Sequence, residues 1–328
     1  MTQPHTTEPP GPQPEPQTTE PQQARPRLPG WARVLLALIA FMIAAYSPGL
    51  TDLIGPLREG ARSTDPLLGA KVQALVQLTP LPFYLLFTFL LTRCADRRPM
   101  RVTGLALNRR ALLGLLAGTG ISVAVVGCLA AVLLAAGIGT RAPAEAKEEI
   151  AVLPLWLVVA NTIVFSYVFQ GIGEEALMRG YLLQSLSDHP RRAVWAAVIV
   201  FTIPHLLSKG GQENALDHVL YLVETFGFAL AAAYLALMMR STWAAIGIHG
   251  GSHLGAQLIA LMGVDIPESP LLWITTGLVF CVIAAVLASR TGQRRWAEIA
   301  ARGPYAPPVV ADHRRAGPIS AQASSQVG

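Results

Sequence analysis

Charge is what this sequence has least of. Asp, Glu, Lys and Arg make up 14% of its 328 residues against 52% hydrophobic types, with a mean hydropathy of +0.44; soluble domains carry about a quarter charged residues. So little charge among such long apolar runs indicates a membrane protein. Cysteine is scarce as well. Cys94, Cys128 and Cys281 stand far apart, with neither ligand spacing nor the pairs of a disulfide framework. There is no HExxH zinc signature, no period-two alternation of a membrane β-strand, no pair of Asp residues within the apolar runs, and no internal repeat of the transporter kind. A net charge of +5 and a pI near 9.4 do not point to nucleic acid, because the basic residues flank apolar segments and no reader motif accompanies them.

What is present is a set of membrane-length runs. About 20 apolar residues cross a hydrocarbon core of about 30 Å, and eight stretches qualify: Trp31 to Leu50, Leu67 to Thr92, Leu112 to Gly137, Ala151 to Gly171, Ala193 to Leu207, Val219 to Met239, Trp243 to Met262 and Leu271 to Ser289. The fifth is short. Unpaired backbone is too costly in lipid for anything but helices here, so the expected fold is an all-α polytopic membrane helix bundle of about eight transmembrane helices. With the amino terminus inside, 19 of the 25 Lys and Arg residues fall on the inner side and 6 on the outer. That bias predicts both termini cytoplasmic. Residues 1–30, rich in Pro, Gln, Thr and Glu and lacking a basic start and apolar core, predict a disordered tail and no cleavable signal peptide; 31–290 form the bundle, and 291–328 a cytoplasmic, largely disordered tail.

Ionisable groups inside spans are expensive and usually face a cavity or one another. Three stretches carry them: "GIGEEALMRG" with Glu174, Glu175 and Arg179, "FTIPHLL" with His205, and "IGIHGGSHLGAQ" with His249 and His253. Alternating direction brings all three toward one cavity in the inner half of the bilayer. Glu175 and Arg179, four residues apart, can pair on one helix face, which leaves Glu174 turned about 100° away. His249 and His253 share a face, and Gly247, Gly250, Gly251 and Gly255 permit close approach of another helix or a substrate. Pro204 removes a helical donor beside His205 and predicts a kink there. Blander accounts exist for each: the first stretch as the charged turn of an interfacial helix, His205 as a packed helix contact, and Glu224 as a snorkelling or cavity-lining group without a role. Ser252 and His253, adjacent on a helix, point too far apart to make a nucleophile and base.

Taken in order, EExxxR, FxxxH (Phe201, His205) and a His followed four residues later by a polar residue resemble the CPBP family of intramembrane proteases, which includes type II CAAX prenyl endopeptidases and bacterial bacteriocin-processing and immunity proteins. The resemblance covers about residues 152–263. It implies an intramembrane endopeptidase in which Glu174 and His205 activate water, His249 and the group at 253 stabilise an oxyanion, and Glu175 and Arg179 orient the site. The prenyl-protease branch has Asn where this chain has His253, and histidine can donate a hydrogen bond but also bind metal. A zinc site of His205, His249, His253 and Glu174 is therefore left open, with no cofactor otherwise implied. The implied partners are the bilayer and a membrane-bound peptide or lipidated protein, and the composition suits a bacterial plasma membrane. The same polar cavity would also serve a proton-coupled transporter or a non-catalytic scaffold or immunity protein.

Overall fold

The computed structural model describes residues 26–141 and 151–308. The tail up to residue 25, Lys147 and the chain beyond 308, all given roles in the sequence reading, lie outside the described residues. Helices α1 (Gly30–Ala45), α2 (Gly55–Ala61), α3 (Pro66–Gln77), α4 (Pro80–Leu90), α5 (Arg109–Ala135), α6 (Leu155–Leu183), α7 (Pro190–Thr202), α8 (Ala215–Met239), α9 (Thr242–Leu261), α10 (Pro270–Ser289) and α11 (Gln293–Arg302) follow in order. Two short strands, β1 (Thr140–Arg141) and β2 (Val264–Asp265), pair antiparallel and tie the ends of α5 and α9 together. The chain is a helical, multi-pass membrane bundle.

All eight expected spans are helical, but they are not alike. Six helical segments have the length and apolarity to cross a membrane by themselves. The other two are α7, whose α-helical part is 13 residues, and α9, which is 20 residues long but carries the histidines and is buried along most of its length. Helix α7 buries one face, with Ala193, Val194, Ala197, Val198 and Phe201, while Trp195 and Ile199 on the other are exposed. The reverse pattern marks the outer helices: Leu35, Ile39 and Ile43 of α1 and Leu278, Val282 and Val286 of α10 are exposed, while Ala37, Ala40 and Ala44 of α1 and Ala229, Ala232 and Ala236 of α8 are buried. Large apolar side chains outside and small ones inside are what lipid solvation and close helix packing require.

Close packing is tightest between α5 and α9. A Cβ on Gly118 would come within 2.4 Å of the Ala244 carbonyl, and one on Gly247 within 2.4 Å of the Leu115 carbonyl. Neither backbone can retreat, so glycine at both positions lets the axes approach. The partner of Gly247, Gly251 and Gly255 of α9 is thus α5, while Gly250 makes room for Tyr167 of α6, and Ser122 adds a 2.7 Å hydrogen bond to the Ile248 carbonyl.

The connections define two ends. At one, Arg33 of α1 donates to Ser185 beyond α6, Arg27 donates from its backbone to Ala95, Thr242 reaches the Thr103 carbonyl, and Arg240 binds Glu298 of α11. The opposite end holds the β1–β2 pair and the loops after α1, α7 and α9. The tail expected from residue 291 opens instead with α11, an amphipathic helix that buries Trp296 and Ile299, followed by buried Tyr305, whose hydroxyl donates to the Arg179 carbonyl. Glu298 clamps it. Arg240 meets both carboxylate oxygens, at 2.6 and 2.8 Å, and Arg295 adds a contact at 3.2 Å.

The hydrogen bond from Arg240 holds the Glu298 carboxyl down to a pKa of about 2. A depressed carboxylate contributes stability above its unfolded pKa of about 4.3, lost as pH falls through the folded value. The α11 clamp is therefore expected to hold from neutral pH to about 4.3 and to loosen toward 2. Trp296 fluorescence, read against Trp296→Phe, should report it, and Glu298→Gln should already look loosened at pH 7. An unchanged signal in Glu298→Gln would sink the clamp.

Candidate active site

Helix α6 is not a plain α-helix. It widens to π-helical hydrogen bonding over Val164–Ile172 and again over Ala176–Leu183, with the α-helical turn Gly173–Glu175 between them. Such widening is common at functional sites because it shifts side chains off the regular face. It also carries the two carboxylates deep into the bundle. The helix continues nine residues past Glu174 to Leu183, so Glu174 lies inside the span, nearer its C-terminal end, and not at the end itself, as the sequence suggested.

The predicted pairing of Glu175 is present. Arg179 Nη1 lies 2.9 Å from Glu175 Oε1, with both side chains fully buried. The guanidinium also donates to the Ala229 carbonyl at 2.8 Å and stands 4.8 Å from the centre of the Phe201 ring. A third contact was not visible in the sequence: Nδ1 of His249 lies 3.1 Å from the same Oε1. A carboxylate only accepts, so Nδ1 carries a proton. Glu175 thus joins α6 to α9 as well as to its own helix.

Glu174 behaves differently. It is 8% exposed, lines the central cavity, and its Oε2 has no hydrogen-bond partner. Gly173 beside it makes room for the Tyr84 ring, which would come within 2.5 Å of a Cβ at that position. Across the cavity, α7 tightens at Pro204 into a 3₁₀ turn over Ile203–Leu207, which replaces the expected kink. There Nδ1 of His205 is 2.8 Å from the Phe201 carbonyl. Since a carbonyl only accepts, Nδ1 is the protonated nitrogen and Nε2 is left with its lone pair.

The aromatic walls hold these rings apart. Phe201 sits 4.6 Å from His205 and 5.7 Å from His249, centre to centre, and Phe228 packs 4.9 Å from His249. His253 lies 5.3 Å from His249 and edge-on to Phe165 at 5.5 Å. All four ionisable groups, Glu174, His205, His249 and His253, line one cavity of about 890 Å³. Glu175 and Arg179 stand behind it. Ser252, Glu224 and Tyr221 also line it; Glu224 is thereby resolved as a cavity group, and Tyr221 is an aromatic position that no sequence signal distinguished.

Among the described residues no three His, Cys, Asp or Glu side chains are placed to hold one metal ion. Three such ligands would have to converge at about 2.0–2.2 Å from a shared point.

Residues 154–255 match a protein-family model described as type II CAAX prenyl endopeptidase Rce1-like. That match supports the resemblance of this segment to the CPBP family. The match spans just under a third of the chain and includes every one of the six residues above. No curated protein and no solved structure matches the chain. The matched segment comprises α6 to most of α9, and α5, which lies outside the match, packs against its histidine helix.

Arg179 is the most exposed to loss here in the energetic sense. Arg179→Gln leaves Glu175 buried with only His249 as counter-ion, and breaking a buried pair costs about 3–5 kcal/mol. Thermal unfolding in detergent should show that loss, with Arg179→Met combined with Glu175→Leu recovering part of it. If the double variant unfolds earlier than the single one, the pair does not stabilise in this way.

Proposed function

We propose that this protein is an intramembrane endopeptidase that hydrolyses a peptide bond of a membrane-bound peptide or lipidated protein, with Glu174 and His205 as the groups that activate water. The observation that carries the reading is the contrast between the two adjacent carboxylates: Glu175 Oε1 is held by Arg179 and His249 behind the cavity, while Glu174 makes no ion pair or hydrogen bond among the described residues and lines the cavity, across which stands an imidazole whose Nε2 keeps its lone pair. A carboxylate and a neutral imidazole at the wall of a cavity sheltered from bulk solvent are what general-base catalysis requires. In the proposed step, Glu174 and His205 take the proton of a water molecule as its oxygen bonds to the carbonyl carbon. The proton passes to the amide nitrogen as the C–N bond breaks.

His249, held at Nδ1 by Glu175, and His253 line the same cavity and in this reading stabilise the developing oxyanion. A plasma membrane of a bacterium suits the composition, and maturation of a secreted peptide, bacteriocin immunity or turnover of a membrane regulator suits the family as well as prenyl-protein processing does.

Glu174→Gln and His205→Ala are each expected to lower turnover by about 10²–10⁴-fold while leaving thermal unfolding unchanged. New peptide termini, detected by mass spectrometry after incubating purified protein with single-span peptides in liposomes, are the readout. Cleavage that survives both substitutions would exclude the proposed pair, and proton flux without new termini would favour the transporter.

A further inference from the structure

The cavity has its floor and its mouth at opposite ends of the bundle. His249 lies seven residues beyond Thr242 on α9, about 10 Å from the basic end by helical rise, so the reacting groups do sit in the half expected from sequence. The opening does not. The lining continues upward through the far half of α9 and finishes at Pro48 after α1, Ser208 and Lys209 after α7, Asp265 of β2 and Glu268 beyond it, all at the end that holds the β1–β2 pair. From His249 to Leu261 this is twelve residues, a depth of about 18 Å.

Toward the other end the bundle is closed. Arg179, Tyr181 and Leu182 are fully buried beneath the floor, and the Thr242–Thr103 and Tyr305–Arg179 hydrogen bonds seal the layer below them. None of the loops at that end contributes to the cavity. That closed end is also the basic one. Among the described residues outside the bundle interior, fifteen Lys and Arg stand at it and five at the open end, a bias that identifies the cytoplasmic face.

Resting on the endopeptidase reading above, we propose that the cavity takes its peptide from the face opposite the cytoplasm. The substrate is then a segment already translocated to that face, and not a lipidated tail presented from the cytosol. The native cysteines supply a marker, because Cys94 is exposed at the basic end, whereas Lys209 is exposed at the mouth.

In intact cells a membrane-impermeant maleimide is expected to modify Lys209→Cys and to leave Cys94 untouched until the membrane is permeabilised. A single-span reporter library with randomised juxtamembrane segments is expected to be cut when displayed on the outer face and to lose the cut when inverted, with Glu174→Gln abolishing it. Labelling of Lys209→Cys only after permeabilisation, or cutting confined to cytoplasmic display, would overturn the proposal. Absence of cutting from both faces, with Lys209→Cys labelled from outside, would remove the peptidase reading while the label still establishes the side of access.

Discussion

One carboxylate oxygen organises the centre of this molecule. Glu175 Oε1 meets Arg179 at 2.9 Å and His249 at 3.1 Å in a layer where none of the three is open to solvent. An isolated charge there would be prohibitively costly, so the three groups are tenable only together. Their mutual satisfaction fixes α6 against α9, and Arg179 extends the link to α8 through the Ala229 carbonyl. The remaining site is arranged around that knot: Phe201 lies against Arg179, His205 hangs from the Phe201 carbonyl, and Glu174 is left facing the cavity.

The surrounding bundle makes such a knot possible by enclosing polar helices within apolar ones. Helices α7 and α9 lack the length or the apolarity to be lipid-facing spans, yet they carry three of the histidines. The six long apolar helices accompany them, and the glycine contact between α5 and α9 lets that enclosure be close. Polar chemistry in a membrane requires this division of labour, because the groups that react must be kept from both lipid and bulk water.

Much of the arrangement was legible in the chain. Spacing of four placed Glu175 on Arg179 and left Glu174 apart, and the run lengths located the helices. Other features were not. The π-helical widening of α6 has no one-letter signature, since it depends on how neighbouring helices accept the displaced side chains, and the continuation of α6 to Leu183 places Glu174 inside the span instead of at its end. The His249 contact spans 74 positions and follows from helix packing, not from spacing.

Local composition determined that this chain crosses a membrane as helices, which of its residues are too polar for lipid, and which of those share a helix face, because hydrophobicity and helical period act over a few neighbours. The tertiary structure alone decided which polar groups satisfy one another and where the cavity opens. Both depend on which helices touch: the same Glu, Arg and His residues could surround a cleft facing either side, and only the packing beneath Arg179 and the loops beyond His205 close one end and leave the other open.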